Sequence, residues 1–133
     1  MEQTCLVTVS ASVVTYIRAT GPIPGLTDGL TVPRGECLLA RMLDGTPAAA
    51  SRLDQSPALS DTAEHRRFGV RSYVAMPVVG PDGSVLAVIA GLDRSDVTVP
   101  AEVITLLRSV ADGLGAAAAA AGGAAQREGP PAP

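Results

Sequence analysis

Residues 69–93 read GVRSYVAMPVVGPDGSVLAVIAGLD. Two apolar runs rich in Val, Ile, Leu, Tyr and Met flank Gly80-Pro81-Asp82-Gly83, whose glycines and proline suit a tight reversal, so the stretch predicts a β-hairpin. With Val79 opposite Ser84, Arg71, Tyr73, Ala75 and Pro77 share one face with Leu86, Val88, Ala90 and Leu92. Val70, Ser72, Val74, Met76 and Val78 share the other with Val85, Ala87, Ile89 and Gly91. Neither face is polar enough to meet water. Such a hairpin belongs in mid-sheet with further layers above and below it, as the core of an α/β or α+β domain.

Outward from the hairpin, Val103, Leu106, Leu107, Val110 and Leu114 recur every three or four residues behind Pro100, which predicts a helix over 100–114 that continues to about residue 121. Gly122-Gly123 is expected to stop it, leaving 122–133 as a disordered Gly/Ala/Pro tail behind a domain of residues 1–121. On the other side, Asp61 or Thr62 caps a short helix ended by Gly69, and residues 46–53 form a weak alanine-rich strand. Leu38, Leu39, Met42 and Leu43 mark a helix over 35–43. Alternation over 4–10 and 13–18 predicts a first hairpin. Residues 19–32, crowded with Gly and Pro, make a long connection with at most a short strand near its end.

At 133 residues the chain is long enough for one real core. Aromatics supply only 2% of the residues against 47% hydrophobic overall, so Ala, Val and Leu carry the packing. All ten basic residues are arginine, which with the abundant Ala and Gly suggests a GC-rich, bacterial coding genome. A net charge of −3 with scattered arginines argues against a nucleic-acid surface. No run of about 18–20 apolar residues is found and Met1-Glu2-Gln3 lacks a basic start, so no membrane association and a cytoplasmic location are expected. Cys5 and Cys37 have no metal-ligand spacing and are expected as free thiols.

From Gly35 onward the chain resembles the GAF domain, the small ligand-sensing module of bacterial signalling proteins. The resemblance is carried by Gly35-Glu36-Cys37, Asp44-Gly45-Thr46-Pro47, Asp54, Gly69-Val70-Arg71-Ser72-Tyr73-Val74-Ala75-Met76-Pro77, Asp82-Gly83-Ser84-Val85 and the last helix, in that order. It implies an α+β (α/β sandwich) fold of the GAF/PAS kind, with an antiparallel sheet of five or six strands, helices on both faces, a small-molecule pocket on one of them and a regulatory role. GAF domains usually open with a helix that packs beside the C-terminal one, whereas here Met1 sits almost on the first strand.

Arg71, Tyr73, Ala75, Ala90 and Leu92 share the hairpin face that the resemblance turns toward the pocket, where a guanidinium and a phenol could orient an acidic or planar ligand. The plainer alternative is a core tyrosine beside an arginine reaching water at a strand end. Asp54 either touches the same ligand or caps a turn. Cys37, at a helix start, is either an activated thiol or a small core residue, and the second reading carries more weight. His65 could in principle ligate haem iron, but a single histidine with no second ligand type beside it argues against a haem, and no cofactor is assigned.

The function expected is a non-catalytic regulatory domain that binds a small ligand or self-associates. Free methionine sulfoxide reductase, a GAF-fold enzyme, is the enzymatic alternative. Against it, no cysteine follows Cys37, and the family's pocket carboxylates would fall at Tyr73, Ala90 and Leu92. A GAF domain with a closed pocket that serves only for dimerisation is the third reading. With one terminal helix to cover a two-helix face, a homodimer is expected, with Val103, Leu106, Leu107, Val110 and Leu114 at its interface.

Overall fold

The computed structural model describes residues 1–127. Six strands form one antiparallel sheet: β1 (Gln3–Val9), β2 (Val13–Thr20), β3 (Thr31–Pro33), β4 (Ala49–Ala50), β5 (Ser72–Val79) and β6 (Val85–Asp93), in the spatial order β3-β2-β1-β6-β5-β4. The short helices α1 (Leu38–Leu43) and α2 (Ala63–Phe68) pack on one face, and the long α3 (Ala101–Arg127) on the other. This is the expected α+β sandwich.

The central hairpin departs from its predicted register and keeps its predicted faces. Tyr73 lies opposite Leu92, Ala75 opposite Ala90 and Met76 opposite Ile89, two residues further along than a Val79–Ser84 pair would give, with a bulge between Val78 and Val79. The reversal is wider than the sequence suggests, closed by the Gly80 N–H donating to Ser84 O at 2.8 Å, and Gly83 takes the left-handed conformation at φ 83°. Side chains alternate with period two, so a slip of two leaves every residue on its original face.

Tyr73, Ala75, Val88, Ala90 and Leu92 join Leu38 and Leu39 of α1 and Ala63 of α2 in the main core. Met76, Val78, Ala87 and Ile89 form a smaller core under Ile104, Leu107 and Ala111 of α3. α3 packs chiefly on β5 and β6, and a trough opens between it and the β1–β2 half of that face. A second bulge, between Leu6 and Val7, pairs Leu6 with Arg18 and Val7 with Tyr16. Ile17 is the extra residue, and Arg18 is thereby turned to the α3 side while Tyr16 stays in the main core.

Three local readings are corrected. α1 begins at Leu38, because Arg34–Glu36 form a 3-10 turn and Cys37 is the N-cap. The alanine strand shrinks to the two residues of β4, since alanine offers little side chain to hold a pleated edge. α3 runs on through Gly122-Gly123 to Arg127, because glycine costs only about 1 kcal/mol relative to alanine in an established helix and alanines flank the pair. Residues 128–133, the rest of the expected tail, lie outside the described residues. The alanine run also overturns the expectation that no segment could span a bilayer: Ala101–Ala121 is long and apolar enough by length and composition. In this fold it is a surface helix whose inner stripe lies on the sheet.

Where α3 crosses the end of β5, a Cβ on Gly115 would stand 2.5 Å from the Val79 carbonyl oxygen, whereas one on Gly113 would meet nothing. Gly115→Ala is therefore expected to push α3 off the strand at a cost of about 1–3 kcal/mol. Gly113→Ala should stabilise by up to about 1 kcal/mol. Urea unfolding of the two variants checks the contrast, and equal effects would mean that α3 does not rest on β5 at Gly115.

Candidate functional site

The face expected to hold a ligand is filled by the chain itself. Tyr73, Ala75, Leu92 and Cys37 have no exposed surface and Ala90 retains 6%, and the Tyr73 hydroxyl donates to Pro47 O at 2.5 Å. Five of the predicted ligand residues thus come together, as packed core. Arg71 and Asp54 also come together, but at the rim: Arg71 precedes β5, and its guanidinium lies 3.2 Å from Asp54 and 2.9 Å from Asp96. Asp96 further accepts from the backbone N–H of Arg52, which holds a left-handed φ of 55°. The hydrogen bond to Asp96 raises the Arg71 pKa, and the same bond lowers that of Asp96. The group is a half-exposed ion cluster tying residues 52–54 to the loop before α3.

The residue that organises the interior is Glu64, which the sequence did not single out. Its carboxyl group is fully buried and accepts from the Tyr16 hydroxyl at 2.6 Å, the Cys37 thiol at 3.3 Å and the Leu38 N–H at 2.8 Å. It joins α2 to β2 and caps the first turn of α1, whose own N-cap side chain makes no cap bond. One signal was available: Glu64 and Phe68 are four apart on α2 and share a face. Gly69 makes that short helix possible by closing it in the left-handed conformation at φ 72°.

This surrounding decides the cysteine question. Burial first, and the Glu64 charge second, push the Cys37 thiol well up, opposite to the activated thiol that a helix start alone would give. The same two causes push Cys5 up to about 12 and Tyr16 well above its usual range. His65 is half-buried with Nδ1 2.8 Å from Val70 O. Among the described residues no group of three or more His, Cys, Asp or Glu could hold a metal.

Open space lies on the other side of the sheet. A trough of about 340 Å³ runs beside α3, with Thr4, Leu6, Arg18 and Ile89 on its floor and Leu107 and Val110 on its wall. A smaller cavity of about 210 Å³ sits between β4 and the start of α3. Along α3, Val103, Leu106, Val110 and Leu114 are 43%, 65%, 47% and 44% exposed, while Leu107 turns partly inward. The expected interface stripe therefore divides into four exposed residues and one that belongs to the smaller core.

A six-stranded antiparallel sheet with short helices on one face and a long terminal helix on the other defines an α+β sandwich. The GAF domain family model matches residues 3–118, and the chain belongs to the GAF family. Among solved structures it is similar to the blue-light absorbing form of the PixJ GAF domain of Thermosynechococcus elongatus (TM-score 0.74, 12% identity, 95% of this chain and 79% of that one). It is also similar to the second GAF domain of DevS from Mycobacterium smegmatis (0.66, 16%, 96% and 86%). A third is the type II free methionine-R-sulfoxide reductase of Thermoplasma acidophilum (0.63, 13%, 86% and 76%). At these identities the likeness is one of fold. No curated protein matches the chain. GAF domains are typically sensory or regulatory modules.

Glu64→Leu should leave the Tyr16 hydroxyl and the Leu38 N–H without an acceptor in a dry core, at about 1–3 kcal/mol for each orphaned donor. Tyr16→Phe in that background should recover part of the loss. A double-mutant cycle by urea unfolding measures it, and additive losses would separate the two residues.

An unfolded thiol ionises from about pH 9, whereas folded Cys5 stays protonated to about 12, so the folded state holds more protons across that window. Stability is then fully present below about pH 9 and falls as pH rises, by up to about 1.4 kcal/mol per unit for this group. Cys5→Ala should flatten the decline in unfolding free energy between about pH 9 and pH 12. An unchanged slope would refute the assignment.

Proposed function

We propose that this GAF domain is a non-catalytic regulatory module of a bacterial, cytoplasmic signalling pathway, and that it works by self-association through α3 with its interior closed by its own side chains. The observation that carries the reading is the half-covered sheet. α3 packs chiefly on β5 and β6, leaves a trough over the β1–β2 half and turns Val103, Leu106, Val110 and Leu114 to solvent beside it. Contiguous apolar surface of this kind is rare on a monomer, and a second copy in two-fold pairing is the commonest cover for identical chains. The packed state of Tyr73, Ala75, Ala90 and Leu92 favours this over a small ligand bound beside Tyr73. The absence of catalysis is supported by Cys37, whose buried thiol is held away from thiolate and has no later cysteine to resolve it.

Sedimentation at micromolar concentration should give a dimer, and Val110→Glu a folded monomer that still unfolds cooperatively, since Val110 is already about half exposed. A monodisperse monomer in the wild type would sink the reading. So would a thiol-dependent reduction of methionine sulfoxide that disappears in Cys37→Ser.

A further inference from the structure

Met76, Ile89, Leu6 and Arg18 are successive cross-strand neighbours in a row over β5, β6, β1 and β2. α3 covers the start of this row and not its end: Met76 is 6% exposed, Leu6 is half-buried, and the Arg18 side chain is 74% exposed. A second helix laid beside α3 on the same sheet would fill the trough and shield Val103, Val110 and Leu114, which lie on the flank of the helix. It would not shield Leu106. With 3.6 residues per turn, Leu106 is rotated about 200° from the inward Ile104 and points away from its own sheet. It is the most exposed of the large apolar residues described. Its cover must come from the side opposite the sheet.

We propose that two copies pack as a three-layer sandwich, sheet, α3 and partner α3 side by side, then the partner sheet, so that each α3 covers β5–β6 of its own chain and β1–β2 of the other. Leu106 of each copy then enters the trough of the other and rests on Leu6 and Ile89. The charges agree with this placement. Glu102 lies one turn before Leu106 on the same outward side, is exposed, and has no ion pair among the described residues. Arg18 stands directly across the β1–β2 ladder from Leu6, with one guanidinium nitrogen on Asp28 and the rest of the fork free. Leu106 over Leu6 brings Glu102 within reach of Arg18 of the partner, and two-fold symmetry makes both contacts twice. The inference rests on the self-association proposed above and adds which surface each helix meets.

Two measurements test it. Arg18→Glu and Glu102→Arg should each raise the dimer dissociation constant at least about ten-fold, because every like-charge contact is doubled by the symmetry, and the double variant should return to within about three-fold of wild type. Independently, Leu6→Cys and Leu106→Cys chains mixed and mildly oxidised should give a disulfide-linked dimer that neither variant forms alone. The wild type, with Cys5 and Cys37 buried, should form none. Cross-linking of Leu106→Cys with itself would place the two α3 helices face to face at that residue and overturn the sandwich while leaving self-association intact. Failure of both the charge exchange and the mixed cross-link in a chain that still dimerises would do the same. A monomeric wild type would remove both proposals together.

Discussion

Strand alternation places apolar side chains on both faces of the β5–β6 hairpin, and neither face can be left in water. Everything else in the molecule covers one or the other. The first face receives α1, α2 and the long connection after β2, and closes to zero exposure at Tyr73, Val88 and Leu92. The second receives α3, which shields Met76 and Val78 and packs chiefly on β5 and β6. One sheet thus carries a finished interior on one side and an unfinished one on the other.

The finished side depends on a polar group. Two six-residue helices have few turns with which to hold themselves, and α1 lacks a capping side chain of its own. Glu64 supplies that cap from α2 and spends its second oxygen on Tyr16 and Cys37, so two marginal helices and a strand are joined at one dry point. Gln3 does the same for the connection after β2, accepting from the Ile23 N–H and donating to Leu26 O. The space between sheet and loops is here filled by side chains whose donors and acceptors are matched.

The last helix is fastened to the sheet at two points. The ion cluster of Arg71, Asp54 and Asp96 fastens the loop leading into α3, and Gly115 lets the same helix lie against the β5 carbonyl. Between those two points α3 is held in position while its flank and outer side stay open. A helix fixed to a rigid sheet but half bare would lose little conformational entropy in the association proposed for it.

How much of this was legible in the sequence follows from the range of the interactions involved. Period-two alternation over residues 69–93 and the three-to-four spacing after Pro100 are local, so they determined the hairpin, the sandwich class, both hairpin faces and α3, and the order of the motifs determined the GAF resemblance. Tertiary structure decided whatever depended on a distant partner. The two-residue slip was set by the bulge at Val78 and Val79, the turn of Arg18 to the α3 side by the bulge at Leu6 and Val7, and the passage of α3 through Gly122-Gly123 by a helix already formed. The candidate site divided in the same way. Face parity grouped Tyr73, Ala75, Ala90 and Leu92 correctly, but whether they enclose space or fill it depends on α1, α2 and Glu64 arriving from elsewhere in the chain. Packing is a sum over neighbours that sequence separation does not reveal, which is why the residues of the face could be read from the chain and its closure could not.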